Sequence, residues 1–137
     1  MTRILAAYDG SESANKAFEW GLDLAIKYRA ELYVLAIARP SEPPEDVETE
    51  AILEHAQEHY EKAFIPLKEK AQSCGVIHHF EVRVGHPAEQ IVHFAETHHI
   101  DHIVMGHRGK SFFERWLLGS VSKRVVTYAH CTVSVVR

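Results

Sequence analysis

Gly106, Gly109 and the pair Gly119-Ser120 lie in a Gly-x2-Gly-x9-Gly-Ser spacing inside the stretch Met105–Ser122. Residues of these types at this spacing suit the holding of an anion. Glycine carries no Cβ, so its backbone N–H can approach a ligand closely. A Gly-Ser pair opening a helix adds unpaired amides, a hydroxyl and the positive end of the helix dipole. The stretch therefore reads as a holder of phosphates. Arg108 and Lys110 are candidate phosphate partners within it, although charged loop residues are more often merely solvated. Ser120 and Ser122 can donate to phosphate oxygens, and Ser120 can also cap the helix it opens. His107 is the one titratable group of the motif that could act as a base near neutral pH.

The other half of a nucleotide site must come from elsewhere in the chain. Asp9, at the end of an apolar run, is suited to accept from ribose hydroxyls or an adenine amino group; fixing its own turn accounts for it equally well. Ile37 offers a base only its backbone groups, and Met105 a soft apolar contact. Two common nucleotide patterns are missing. The first apolar run leads into Asp-Gly-Ser-Glu-Ser and not GxGxxG, and no GxxxxGK[ST] occurs, which argues against dinucleotide and P-loop chemistry. Slow hydrolysis would need a metal, a positioned water and a group to orient it. No second carboxylate is evidently placed for magnesium, so binding is expected over turnover, with no catalytic residue assigned.

Composition sets the remaining bounds. A chain of 137 residues with 46% apolar and 25% charged residues has room for one domain with a sizeable core. A net charge of -4 argues against a dedicated nucleic-acid binder. Cys74 and Cys131 are too few for a disulfide framework, and no apolar run approaches membrane-spanning or signal length, so a cytoplasmic protein is expected. The 11 histidines include His55 and His59 on one helix face, but position 56 is Ala and no HExxH results. Solvated surface histidines are the expectation, with no metal site.

The elements that must position these residues alternate. Ile4–Tyr8 and Leu32–Ala38 are apolar on both faces, as central strands of a parallel sheet are. Phe80, Val82 and Val84 alternate with Glu81 and Arg83, predicting a strand near an edge; Asp101–Met105 and Thr132–Val136 complete the set. Between them, Ala14 to Ala25, Ile52 to Cys74, Ala88 to Ala95 and Val121 to Tyr128 show helical spacing; in the second, Ile52, Ala56, Tyr60, Ala63, Leu67, Ala71 and Cys74 fall on one side, as a buried stripe does. Pro66 should kink or divide the second of these helices, and Pro87 is well placed to start the third. The order β-α-β-α-β-α-β-α-β predicts an α/β fold, three-layered, with a doubly wound parallel sheet. If the first strand is central, the ends of strands one, two and four converge on a crevice at the strand-order reversal, bringing Asp9, Ile37 and Met105-Gly106 together. The proline-rich segment from Arg39 to Asp46 would lie at that end, where it is a candidate lid.

With ILAAYDGSESA at the start, VLAIARP after the second strand, GHPAEQIV before the third helix and CTVSVVR at the end, the chain resembles the universal stress protein family over essentially its whole length. The glycine spacing is similar to the ATP-binding motif of that family's nucleotide-binding branch. The resemblance implies a five-stranded sheet of order 3-2-1-4-5, an adenine nucleotide alpha hydrolase-like Rossmann-type fold, as one domain over residues 1–137. It implies a stress-response protein occupied by ATP or AMP, with Mg2+ accompanying ATP. Ala7, Asp9 and Ile37 fall where base and ribose are held; Met105, Gly106, Gly109, Gly119, Ser120, Val121 and Ser122 fall where ribose and phosphates are held. Family members pair as homodimers through the last strand, here Thr132 to Val136, and a tetramer of such dimers is a further assembly. Ala7 stands where proline or valine is common, and Thr132 and Ser134 replace the usual proline and leucine.

Overall fold

The computed structural model describes residues 1–39, 49–107 and 119–137. The elements follow the expected alternation: β1 (Arg3–Tyr8), α1 (Glu12–Tyr28), β2 (Glu31–Ala38), α2 (Thr49–Ser73), β3 (His78–Val84), α3 (Pro87–Thr97), β4 (His102–Gly106), α4 (Ser120–Tyr128) and β5 (Thr132–Val136). All four strand pairings are parallel, in the order β3-β2-β1-β4-β5. Because β1 is central, its residues alternate between two cores. Ile4, Ala6 and Tyr8 join the core under α1 and α2, while Leu5 joins the core under α3 and α4 with Ile103, Met105 and Val125. Among the described residues no helix is long and apolar enough to cross a membrane.

Local chemistry sets the ends of the elements. Ser11 accepts from the Ala14 amide at 3.1 Å and so caps α1, while Arg29 closes that helix in the left-handed region at φ 54°. Asp101 Oδ2 accepts from the Thr2 amide (2.7 Å), the Thr2 hydroxyl (3.0 Å) and the Arg3 amide (3.2 Å), which ties the start of β4 to the start of β1. These bonds hold the Asp101 carboxyl below its usual range even though burial pushes it the other way.

Three expectations about the elements need correction. Pro66 does not divide α2, which runs unbroken from Thr49 to Ser73. Pro66 and Lys62 are both exposed, so the carbonyl that loses its partner faces water, while Phe64 and Leu67 anchor the flanking turns in the core. Cys74, expected on the buried stripe, lies beyond the helix end and is exposed, as is Tyr128 in α4. Ser120 does not cap α4, because Gly119 occupies the cap position and Ser120 is the first helical residue. The candidate lid falls almost wholly on residues 40–48, outside the described residues.

Candidate functional site

At the end of β1 the chain turns through Asp9-Gly10. Gly10 takes φ +82°, a conformation in which a side chain is strained, and the Ser11 amide donates to Asp9 Oδ1 at 2.9 Å. One oxygen of Asp9 therefore fixes the turn, and the residue still lines the cleft above it. Ile37 and Arg39 leave the end of β2 on one side of this turn; Met105 and Gly106 end β4 on the other.

Gly106 is required for a reason independent of any ligand. A Cβ placed there would sit 2.3 Å from Ser13 Oγ and 2.9 Å from the Ser13 carbonyl carbon, so β4 approaches the first turn of α1 too closely for alanine. The chain then returns to the cleft at Gly119, whose amide donates to the His107 carbonyl at 2.7 Å. Ser122, 2% exposed, donates its hydroxyl to the His107 or Gly119 carbonyl, each 3.2 Å away. That hydroxyl thus lies within reach of both His107 and Gly119. Among the described residues no side chain caps α4, since the cap position is Gly119.

The result is a cleft of about 580 Å³ across the carboxyl ends of β1, β2 and β4. On the α3/α4 side its wall is apolar, formed by Ala7, Leu35, Ile37, Ile91, Met105 and Val121. On the α1/α2 side it is aromatic and polar, with Tyr8, Asp9, Ser11, Arg39 and Tyr60. Burial, and then the Asp9 carboxylate, raise both tyrosine phenols above their ordinary value, so both are hydrogen-bond donors at neutral pH.

Of the residues singled out in the sequence, Ala7, Asp9, Ile37, Met105, Gly106, Gly119, Ser120, Val121 and Ser122 all line this one cleft. His107 does not. Its amide donates to the Val136 carbonyl at 2.9 Å and its Nδ1 lies 3.2 Å from the same oxygen, which pins the residue to the end of β5. Arg108, Gly109 and Lys110 lie outside the described residues. Sequence reasoning missed Tyr60, Arg39 and Ser11 as cleft residues. Tyr60 read only as one position of a buried helical stripe, and nothing local to α2 indicates that one turn of that stripe rises to the sheet's carboxyl end.

A crevice at the strand-order reversal of an open parallel sheet defines a ligand-binding domain of the doubly wound α/β class. The chain belongs to the universal stress protein family, whose model matches residues 1–137. It is 38% identical to a universal stress protein of Methanocaldococcus jannaschii over 98% of this chain and 81% of that protein. It is also 38% identical to one of Methanothermobacter thermautotrophicus, over 100% and 97% respectively. Among solved structures, the universal stress protein UspA from Lactobacillus plantarum superposes with a TM-score of 0.84 at 27% identity, covering 99% of this chain and 97% of that one. Two more distant relatives share the fold with nucleotides bound. One is a universal stress protein in complex with cAMP (TM-score 0.69, 23% identity, 99% and 96% coverage). The other is a universal stress protein from Archaeoglobus fulgidus in complex with dAMP (TM-score 0.65, 20% identity, 100% and 98% coverage).

Proposed function

We propose that this chain is an adenine-nucleotide-binding member of its family, holding ATP or AMP in the cleft and acting in the stress response as an occupied homodimer. The observation that carries this reading is convergence: residues from β1, β2, β4 and the start of α4, far apart in sequence, line one cleft. Its apolar wall suits a purine face. The uncapped first turn of α4 suits phosphate oxygens, since amides and helix dipole both favour an anion there. The relatives solved with cAMP and dAMP support an adenine nucleotide as the ligand class. Retention is favoured over turnover by the position of His107, the one candidate base of the motif, which is held against the end of β5.

Pairing through Thr132–Val136 is supported by the place of β5 at the sheet's edge, where the side away from β4 has no strand against it among the described residues. The decisive experiment is release of ligand by heating the purified protein, followed by chromatography, with titration of added AMP and ATP. Adenine nucleotide released near one per chain, or tight binding of added nucleotide, is the expected result. No nucleotide released and no binding on addition would overturn the reading in favour of a nucleotide-free scaffold.

A further inference from the structure

Tyr60 lies on α2 and is 8% exposed. Its ring meets Tyr8 edge-on at 6.4 Å between centroids and stacks on Phe64 at 5.9 Å, so packing holds the ring in place. Tyr8 spends its hydroxyl on Asn15 Oδ1 at 3.0 Å. The Tyr60 hydroxyl has no protein hydrogen-bond partner among the described residues and is not among their sealed polar atoms; Tyr60 lines the same cleft as Asp9, near enough for the carboxylate to act on the phenol. Phenylalanine would give the same ring contacts without a polar group to desolvate. An unspent phenol on a fixed ring at a cleft wall is therefore a group aimed at a ligand.

We propose that the Tyr60 hydroxyl binds ligand, donating to a ribose hydroxyl of the nucleotide while Asp9 accepts from it, and that this pair makes the cleft select ribonucleotides over analogues that lack that hydroxyl. The proposal rests on the nucleotide reading above. The chemistry of the pair excludes the phosphates, and deoxy analogues separate the sugar from the adenine edge, whose amino group and ring nitrogen offer the same donor and acceptor. A hydroxyl both donates and accepts, and so matches a phenol O–H beside a carboxylate. A phosphate only accepts, and the Asp9 charge would repel it. The phenol is protonated at neutral pH at its ordinary value of 10.0 already, and burial and Asp9 raise that value further. Tyr60 also stands on the helix that follows residues 40–48, so the contact joins α2 to a ligand otherwise held by β1, β2, β4 and α4.

The test is a binding cycle, by calorimetry, of wild type and Tyr60→Phe with AMP, 2′-deoxy-AMP and 3′-deoxy-AMP. Wild type should prefer AMP over at least one deoxy analogue by about tenfold, the worth of a hydrogen bond whose loss leaves a polar group unpaired. In Tyr60→Phe that preference should shrink to about threefold or less, with affinity for the same deoxy analogue unchanged, since the variant and the analogue remove two ends of one contact. Equal weakening for all three ligands would assign Tyr60 a merely structural role and overturn the proposal, as would equal affinities in the two proteins. If wild type binds none of the three, the nucleotide reading itself fails; if it binds them and the preference is untouched by the variant, that reading stands and this inference alone falls. Thermal midpoints of the ligand-free proteins should agree, because the ring contacts to Tyr8 and Phe64 survive.

Discussion

Gly106 shows two demands meeting at one residue. It lines the cleft, and it also lets the end of β4 settle against Ser13 with no room for a Cβ. Shortening Ser13 relieves only part of the conflict, because a backbone atom of the same residue lies 2.9 Å from the Cβ position. Gly106→Ala should therefore destabilise the ligand-free protein by about 1–3 kcal/mol, the usual cost of overpacking. Urea unfolding in the absence of nucleotide measures this, and a loss below about 0.5 kcal/mol would show that α1 yields easily at its first turn. Asp9 is likewise shared between roles, giving one oxygen to its own turn at Ser11 while remaining at the cleft wall. The sequence left these roles as alternatives. The structure shows the turn bond of Asp9 and the tight packing at Gly106, and places both residues on the cleft wall, so neither structural role removes the residue from the cleft.

Among the elements, β5 is joined to β4 by more than its backbone ladder. Ser134, which interrupts the apolar run of β5, turns its hydroxyl to His102 Nε2 at 2.7 Å; His102 itself is 7% exposed and its Nδ1 has no partner among the described residues. Burial lowers the His102 pKa from its ordinary 6.5, with Asp101 opposing the shift. The linkage sign follows from this depression. Above pH 6.5 the imidazole is neutral in both folded and unfolded chains, so the fold loses nothing. As pH falls through 6.5 the unfolded chain takes up the proton first, and stability declines until the lower folded pKa is reached. Urea midpoints should thus fall more steeply between about pH 7.5 and pH 5.5 in wild type than in His102→Gln. Parallel slopes would mean that His102 is free to charge in the fold.

For the molecule as a whole, the sheet ends on one side at β3, whose alternation leaves one face polar, and on the other at β5, a strand half-buried over most of its length. Sedimentation equilibrium at micromolar concentration should give twice the chain mass, with β5 as the pairing edge. A monomer mass at that concentration would remove the dimer from the proposed function. The order of elements, the edge place of β3 and seven of the cleft residues were legible in the chain, because apolar periodicity, glycine spacing and strand-end position are local signals; the central place of β1 and the cleft positions of Ala7 and Val121 came only from the family resemblance. Other features were not. Pro66 reads as a kink or a break, and its exposure between two anchored turns lets the helix continue undivided. His107 reads as a motif base, and only the register of β4 with β5 brings it against Val136. Tyr60 reads as core. It lines a cleft because α2 packs over β2 and β3 with that turn near Tyr8, at the carboxyl end of the sheet. Periodicity tells which face of a helix is buried, but not how far along the sheet each turn lies; that distance is decided by packing between elements far apart in the chain.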